Sequence, residues 1–318
     1  MLFKGQRIGR YEIVESLGSG GFGTVYLAID TWLTKEVAIK VPHKQTEEFY
    51  KLLKEPRVQA GLKHKNIVEL YTVEKIDSLF IMVMEYVRGE GLDSIIRTKG
   101  RLSLYLAISY LEQILEAVKY AHKKNVIHRD LRPTNILIDE EGTVKITDFG
   151  ISTWLEKNSF ASTKIGSPPY MAPEQFDGKT TFSSDIYSVG CIAYEMLTGK
   201  PPVVDPNPFK IKEYVLKRKV KPLSNVNHEV PESFSKIVMR AIEPDISKRF
   251  GSAEEFLRAI EIFRNGRVKK ETNVVKEPKI YIPKERVSFG EKKIRKCWNC
   301  KRELPPFVDK CPFCGVDV

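Results

Sequence analysis

The feature that most constrains the fold of this sequence is a change of hydrophobic periodicity about a third of the way along its 318 residues. In the first part, short runs rich in β-branched and aromatic residues are separated by glycine or polar turns, which predicts strands. After Leu92, apolar residues recur with helical spacing. The predicted strands cover residues 11–17, 24–29, 37–41, 67–73 and 79–86, with one early helix at 45–62, and the later helices cover 104–122, 184–197, 234–241 and 253–263. This order predicts a two-lobed α+β fold.

The composition is that of an ordinary globular protein, with 42% hydrophobic and 29% charged residues. The longest apolar runs, at 79–84 and 189–193, are far too short to cross a bilayer. The first residues have no apolar stretch behind their positive charges, so no signal peptide is predicted. We therefore expect a cytoplasmic protein without a membrane span.

Residues 18–25 contain three glycines, Gly18, Gly20 and Gly23, in the spacing G-x-G-x-x-G-x-V, which ends at Val25. Glycines in this arrangement allow a tight turn and bring backbone N–H groups close to phosphate oxygens. The spacing alone also fits an ordinary hairpin turn, whereas a dinucleotide site would need a helix after the glycines. A second predicted strand follows instead, which favours a hairpin flap over a nucleotide.

A lysine ends the third predicted strand, in the sequence Val37-Ala38-Ile39-Lys40. A lone lysine on a strand is usually an exposed edge charge, whereas behind a glycine flap it could hold the phosphates of a nucleotide. A lysine in that role needs a carboxylate to fix it, and Glu55 in the following predicted helix is the best candidate.

The most specific part of the sequence lies between residues 128 and 150. It begins with His-Arg-Asp-Leu-Arg-Pro-Thr-Asn, in which Asp130 stands five residues before Asn135. An aspartate that accepts a hydroxyl proton, followed by an amide that can bind a metal ion, suits in-line phosphoryl transfer. Asp148-Phe149-Gly150 adds a metal-binding carboxylate beside an apolar anchor, and the segment 166–174 closes with Ala-Pro-Glu.

In this order, the glycine loop, Val-Ala-Ile-Lys, His-Arg-Asp, Asp-Phe-Gly and Ala-Pro-Glu resemble the motifs of the eukaryotic-type (Hanks-type) serine/threonine protein kinases. The resemblance covers roughly residues 8–265. It implies a bilobal fold, with a β-rich N-lobe near 8–87 and a helical C-lobe near 88–265, in a kinase domain of residues 1–265. It also implies transfer of the γ-phosphate of ATP, with Mg²⁺, to serine or threonine hydroxyls of protein substrates.

The resemblance implies catalytic roles for the matching polar residues. Asp130 is expected to be the catalytic base, and Asn135 and Asp148 are expected to bind Mg²⁺. Lys40, paired with Glu55, is expected to hold the α and β phosphates. The separation of Glu55 from residues 64–68 matches the family spacing between that glutamate and the loop after its helix.

The resemblance also implies an adenine site and a scaffold. Val25, Ala38 and Leu137 are expected to contact the adenine ring, with Met84 as the gatekeeper. The backbone of Glu85 and Val87 is expected to form the hinge that binds adenine. The expected scaffold residues are Glu174 and Arg249, as a buried ion pair, and Asp185, beneath the catalytic loop.

Four positions depart from the family pattern. Arg132 stands where most serine/threonine members have a lysine that contacts the γ-phosphate, which keeps the charge but changes the geometry. Some tyrosine kinases also have arginine at this position, but Pro133 and the Ala-Pro-Glu segment are typical of the serine/threonine branch. Ser167 replaces the usual threonine and keeps its hydroxyl. Pro56 would either kink the predicted early helix or lie in its first turn. Gln59 is polar where the family packs an apolar side chain.

Regulation by phosphorylation is implied by Arg129, because an activation segment is often ordered by a phosphate in kinases with arginine before the catalytic aspartate. Thr163, eleven residues before Glu174, is the predicted autophosphorylation site. Ser159 and Ser162 are nearby alternatives.

The last 22 residues carry four of the five cysteines, as the pairs Cys297 with Cys300 and Cys311 with Cys314. Two such pairs can present four thiolates to a tetrahedral Zn²⁺ ion. A redox dithiol is the alternative, but no thioredoxin-like context surrounds these cysteines. So short a module needs its metal to fold. The sequence therefore predicts a structural zinc ribbon at 295–318, and it predicts that the fifth cysteine, Cys191, is buried in a helix.

The segment 266–294 is polar and basic and is predicted to be a linker. From Gly266 onward, 14 lysines and arginines face 7 acidic residues, so this part carries +7 of the total charge of +11. A solvated linker is the simpler interpretation, but the tail and ribbon could also dock a protein or nucleic acid. The ribbon residues available for docking would be Trp298, Lys301, Arg302 and Phe313.

Two other functions fit parts of the sequence. A non-catalytic kinase-like scaffold, acting through the ribbon and basic tail, would be expected to have lost Lys40, Asp130 or Asp148, and all three are present. A small-molecule kinase would generally lack the full activation segment that ends in Ala-Pro-Glu. The active protein kinase is the preferred hypothesis. Its substrate is not readable, although the basic residues at 210–221 fit either acidic substrates or a solvated helix face.

Overall fold

The computed structural model describes residues 2–20, 23–43, 56, 59–149, 167–274, 299, 301 and 316, with the backbone alone for 267–274. The chain divides into two compact units, Met1–Lys270 and Glu271–Val318. All described strands lie in the first unit, and the last described helix crosses the boundary.

Six antiparallel strands form the first sheet, in the order β1-β2-β3-β4-β6-β5. Their bounds are Arg7–Ile8 (β1), Tyr11–Ser19 (β2), Gly23–Asp30 (β3), Lys35–Pro42 (β4), Leu70–Ile76 (β5) and Leu79–Glu85 (β6). Side chains alternate between the two faces of a strand, and one face buries a cluster that includes Tyr11, Ile13, Tyr26, Ile39 and Ile81. The strands predicted at 11–17, 24–29, 37–41 and 79–86 are confirmed.

The strand predicted at 67–73 begins later, at Leu70. Ile67 instead forms an isolated parallel bridge with Ile146, and the N–H of Val68 donates to the Ile146 carbonyl at 2.9 Å. An apolar run predicts burial, but it does not distinguish a sheet strand from a single buried bridge.

A second sheet of three short strands lies beside the catalytic motifs. It consists of β7 (Gly89–Gly91), β8 (Ile136–Asp139) and β9 (Val144–Ile146). The sequence did not predict this sheet, because its strands are short and β7 is rich in glycine, which disfavours strands. Since β8 follows Asn135 and β9 precedes Asp148, the sheet fixes the positions of both residues.

The helical part consists of α1 (Leu92–Lys99), α2 (Leu104–Lys123), α3 (Phe182–Thr198), α4 (Pro208–Leu216), α5 (Leu223–Val226), α6 (Glu232–Ala241) and α7 (Ala253–Val274). The centre of this part is α3, which is buried along nearly its whole length. A Cβ at Gly190 would lie 2.8 Å from the Ala241 Cβ, so glycine allows α3 and α6 to pack closely. Cys191 is fully buried in α3, as predicted. The predicted two-lobed α+β architecture is confirmed.

The last helix extends beyond its predicted end. The sequence predicts a helix over 253–263, whereas α7 continues to Val274. The weak hydrophobic periodicity after Gly266 gives no sign of this extension. The rest of the predicted linker lies outside the described residues. No described helix combines the length and the apolar composition that crossing a membrane requires.

Candidate active site

A cleft of about 350 Å³ is lined by residues of both sheets and of the segment that joins them. Its apolar walls include Val25, Ala38, Met84 and Leu137, which the sequence predicts as adenine contacts and gatekeeper. Glu85, Val87, Thr147 and Asp148 also line it. The cleft therefore has apolar walls and ends at a carboxylate, which suits a flat apolar ring joined to a polar group.

The glycine segment forms the turn of the hairpin between β2 and β3, in which Ser19 lies opposite Thr24. The N–H of Gly20 donates to the Gly23 carbonyl at 2.9 Å, and Gly18 lines the cleft. Gly23 cannot carry a side chain without a shift, because a Cβ would lie 2.5 Å from the Val41 carbonyl oxygen. The predicted hairpin is confirmed, and Gly21 and Phe22 lie outside the described residues.

Lys40 on β4 contacts Asp148, although 108 residues separate them in the chain. The Lys40 Nζ lies 2.6 Å from Asp148 Oδ1, and the lysine is only 4% exposed. A buried ammonium group is costly without such a partner. Asp148 also has a left-handed φ of 63°, a conformation that strains a residue other than glycine. Glu55, the predicted partner of Lys40, lies outside the described residues.

Asp130 and Asn135 are held together within the catalytic loop. The Asn135 side-chain amide donates to the Asp130 backbone carbonyl at 2.9 Å and lies 3.4 Å from Asp130 Oδ2. The N–H of Thr147 donates to the Asn135 carbonyl at 3.0 Å, which places Asn135 beside the segment that leads to Asp148. The structure thus brings Asn135 to Asp130 and Lys40 to Asp148, and the Thr147 backbone links the two pairs.

Asp185 on α3 supports the catalytic loop from below. Its two carboxylate oxygens accept the backbone N–H groups of His128 and Arg129, each at 2.9 Å, and the His122 Nε2 lies 2.8 Å away. Arg129 has a left-handed φ of 73°. These hydrogen bonds offset the strain of that conformation and fix the backbone immediately before Asp130.

Arg132 connects the catalytic loop to the segment 167–174. Its Nη1 donates to the Ser167 hydroxyl at 2.5 Å, and its Nε lies 3.9 Å from Asp130 Oδ2. Among the described residues, that buried Nε has no hydrogen-bond partner. The forked guanidinium reaches two groups at once, which the single ammonium of a lysine does less readily.

Sequence reasoning missed Lys145 on β9. Its Nζ lies 2.5 Å from Oε1 of Glu85, a predicted hinge residue, and the two side chains are 17% and 24% exposed. The other oxygen of Glu85 accepts the N–H of Glu69 at 3.1 Å, and the Glu85 N–H donates to the Glu69 carbonyl at 2.8 Å. The signal that could have found Lys145 is its place three residues before Asp148, on the strand that leads to it.

The predicted scaffold pair is present. The Arg249 guanidinium makes two hydrogen bonds to the Glu174 carboxylate, at 2.7 and 2.8 Å, and its side chain is fully buried.

Burial raises the pKa of the Cys191 thiol and of the Tyr170 hydroxyl, which donates to Glu195 at 2.6 Å. Neither group is therefore a reactive nucleophile at neutral pH.

Several predicted residues fall outside the described part of the chain. They are Gly150, the candidate phosphorylation sites Ser159, Ser162 and Thr163, and the cysteines Cys297, Cys300, Cys311 and Cys314. Pro56 is described and has helical backbone, while Gln59 is 3% exposed and its Nε2 lacks a hydrogen-bond partner among the described residues.

The chemistry of the polar end of the cleft fits a magnesium–phosphate group. No three His, Cys, Asp or Glu side chains within the described ranges are grouped so as to hold a metal ion by themselves. Asn135 offers an amide oxygen, and Asp148 offers a carboxylate that contacts the buried Lys40 cation. Mg²⁺ commonly takes only one or two protein oxygens and completes its shell with substrate phosphates and water.

Comparison with known proteins agrees with this geometry. Residues 11–259 match the model of the protein kinase domain. The serine/threonine-protein kinase PrkC of Bacillus subtilis is 38% identical over 259 residues, which are 79% of this chain and 40% of that protein. A probable serine/threonine-protein kinase of Clostridium perfringens is 37% identical over 272 residues, 83% of this chain and 39% of the relative. PknB of Mycolicibacterium smegmatis is 34% identical over 259 residues, which are 77% of this chain and 41% of that protein. The chain spans about two fifths of the length of these relatives.

Proposed function

The chain belongs to the protein kinase family, and on this premise we propose that it is an ATP-dependent serine/threonine protein kinase. The observation that carries the proposal is the buried contact of Lys40 with Asp148, which lines the cleft, together with the hydrogen bonds that hold Asn135 beside Asp130. A cation, a candidate base and two candidate metal ligands near one another support a role in phosphoryl transfer.

Asp130 is the proposed catalytic base. It orients the substrate hydroxyl and accepts its proton as the hydroxyl oxygen bonds to the γ-phosphorus. The bond from the γ-phosphorus to the β,γ-bridging oxygen breaks, and ADP leaves. The Asn135 amide and the Asp185 carboxylate hold the backbone at and before Asp130, which supports an in-line arrangement.

Lys40 is proposed to hold the α and β phosphates, with Glu55 as its further partner. Asn135 and Asp148 are the proposed Mg²⁺ ligands, and the ion would neutralise charge on the transferred phosphoryl group. The 2.6 Å contact between Lys40 and Asp148 supports these roles, because it brings the cation and the carboxylate to one point.

Adenine is proposed to lie between Val25 and Ala38 on one side and Leu137 on the other. The N–H of Glu85 already donates to Glu69. We therefore assign recognition of the adenine edge to the Glu85 carbonyl and the Val87 backbone. The glycine hairpin, with Gly18, Gly20 and Gly23, would cover the phosphates.

Serine and threonine are the proposed acceptors. Pro133 and the segment 167–174 have the features of that branch, and the relatives named above are serine/threonine-protein kinases by name. The test is to incubate the protein with ATP labelled in the γ-phosphate, Mg²⁺ and three peptides that differ only in carrying Ser, Thr or Tyr. Label on the Ser and Thr peptides supports the proposal. Label on the Tyr peptide alone, or on none, contradicts it.

Thr163 is the proposed site of activating autophosphorylation, with Arg129 as one cation able to receive the phosphate. Mass spectrometry should find phosphate at Thr163 after incubation with ATP, and Thr163→Ala should lower peptide phosphorylation. Ser159→Ala and Ser162→Ala are the matched controls. Full activity of Thr163→Ala, with no phosphate at that position, contradicts this assignment.

The four cysteines of residues 295–318 are proposed to bind one structural Zn²⁺ ion. Elemental analysis of the purified chain should give about one zinc per chain. Cys311→Ser should lower that content, whereas Cys191→Ser should not. Equal zinc content in both variants would disprove the ribbon. We further propose that the basic tail and the zinc-bound ribbon dock a protein or nucleic acid. Titration of the chain with labelled RNA, DNA and acidic peptides tests this proposal.

A further inference from the structure

The solvent side of α4 carries a surface that the catalytic site does not use. We call Phe209, Lys210, Tyr214, Leu216 and Lys219 the α4 face. Phe209, Leu216 and Tyr214 are 65%, 51% and 37% exposed, whereas Ile211 and Val215 on the opposite side of the helix are buried. Phe209 and Leu216 are seven residues apart, so they lie on one side of the helix. Two large apolar side chains are thus exposed together.

The same stretch is strongly basic. Residues 208–221 contain six lysines and arginines and one acidic residue, a net charge of +5. Three of these cations are neutralised by carboxylates: Lys212 by Asp177, Lys217 by Glu213 and Arg218 by Glu243. Lys210, Lys219 and Lys221 have no ion pair within the described part of the chain. Lys219 Nζ lies 5.4 Å from the centre of the Tyr214 ring.

The position of α4 relates this surface to catalysis. The helix packs against two short 3-10 turns, Pro168–Tyr170 and Pro173–Asp177. The first of these turns directly follows Ser167, which Arg132 of the catalytic loop contacts. A polypeptide bound to the α4 face would therefore be separated from the segment that borders the site of phosphoryl transfer only by the helix itself, which is about 10 Å across.

We propose that the α4 face docks an acidic, partly apolar segment of the protein substrate, outside the phosphorylated site itself. The proposal rests on the kinase function proposed above. Carboxylates of the partner would pair with Lys210 and Lys219, and an apolar side chain would pack on Phe209 and Leu216. The chain's own tail beyond residue 265 carries +7, so like charge disfavours it as the occupant. A nucleic acid would match the cations but not the exposed apolar pair.

The test compares peptides that share one acceptor segment with a single threonine. The short peptide ends there, and the acidic peptide continues through a Gly-Ser linker into a segment of alternating Glu and Leu. A third peptide has Lys in place of Glu. Linkers of about 10, 20 and 30 residues cover different spans, since the reach of a flexible linker grows with the square root of its length. The measured quantities are KM and kcat for each peptide.

The test variant is Lys210→Glu/Lys219→Glu, with Phe209→Ser/Leu216→Ser as a second arm. The matched control is Lys4→Glu/Lys123→Glu, which makes the same charge change at two other exposed lysines. For the wild type we expect KM for the acidic peptide to be about tenfold below that for the short peptide, at similar kcat. Both test variants should lose this advantage and keep the wild-type KM for the short peptide. The control should keep the advantage.

The outcomes separate the two proposals. If no peptide is phosphorylated, the kinase function fails and this inference fails with it. If the short peptide is phosphorylated but the acidic peptide has no advantage at any linker length, docking alone is overturned. Docking is also overturned if the control loses the advantage equally. Binding of nucleic acid or of anionic phosphatidylglycerol vesicles that depends on Lys210 and Lys219, without binding of the acidic peptide, would overturn the choice of partner.

Discussion

The Nη1 of Arg132 donates a hydrogen bond to the hydroxyl of Ser167, with 2.5 Å between the two atoms and 35 residues between them in the chain. Ser167 is 7% exposed. The bond fixes the start of the segment 167–174 against the catalytic loop at Arg132, which is two residues after Asp130. Arg132, although it replaces the usual lysine, thus links the catalytic loop to the hydroxyl at position 167.

Removing either partner of this hydrogen bond should impair phosphorylation. We expect Arg132→Ala and Ser167→Ala each to lower kcat/KM for a peptide substrate, because the segment would no longer be fixed beside Asp130. The loss of transition-state stabilisation in the double variant, calculated from kcat/KM, should be smaller than the sum of the two single losses by roughly 1 kcal/mol. Ser167→Thr keeps the hydroxyl and should stay close to wild type. Strict additivity of the single effects would show that the two residues act independently.

The ion pair between Lys145 and Glu85 should affect nucleotide binding rather than the chemical step. Lys145→Met removes the ammonium that holds the hinge carboxylate, and we expect KM for ATP to rise by about three- to tenfold. The kcat at saturating ATP should remain near wild type. Lys145→Arg should restore most of the affinity, because it keeps the charge. A fall in kcat with KM for ATP unchanged would argue against a role for this pair in positioning the hinge.

The buried pair of Arg249 and Glu174 should be important for stability. Arg249→Met leaves the Glu174 carboxylate without its cation in a site where it is 9% exposed. The free energy of unfolding should fall by about 3–5 kcal/mol, measured by urea denaturation. Arg240→Met is the matched control, because the pair of Arg240 with Glu255 is much more exposed. A similar loss in both variants would contradict the importance assigned to burial.

The hydroxyl of Tyr11 should make the β-rich lobe sensitive to alkali. Burial, followed by its hydrogen bond to Glu74, raises the pKa of Tyr11 to about 12. The unfolded value is about 10, so the folded state holds this proton more tightly. Its contribution to stability is complete below pH 10 and is lost as the pH rises from 10 to 12. Tyr11→Phe should flatten the fall of Tm over that window, and an unchanged slope would contradict this assignment.

Much of this architecture could be predicted from the sequence. The β-rich runs that contain Ile13 and Tyr26 predict strands that the structure contains. The resemblance to the kinase motifs implies that Asp130, Asn135 and Asp148 act together, and the structure brings Asn135 to Asp130. These features depend on local patterns or on motifs that only one arrangement satisfies. The pairing of Glu174 with Arg249 was predicted from family resemblance alone.

Other features depend on tertiary contacts with no local signal. The place of Lys145 three residues before Asp148 marks it as close to the site, but its pairing with Glu85 is a contact between distant strands that no local pattern predicts. Glycine-rich β7 lacks strand propensity, so its pairing with β8 could not be predicted. Likewise, Ile67 is of a residue type that favours strands, but it forms a single bridge to Ile146. Long-range pairing decides each of these cases.

The most direct test of the kinase assignment is the single-turnover rate of γ-phosphate transfer from ATP to a threonine peptide by the wild type and by Asp130→Asn. Asn is nearly isosteric with Asp but cannot accept the hydroxyl proton, so the rate should fall by about 10²–10⁴-fold. Binding of ATP and the Tm should be nearly unchanged. Asp77→Asn, in an exposed turn, should transfer phosphate at the wild-type rate. Transfer by Asp130→Asn at the wild-type rate would contradict the account.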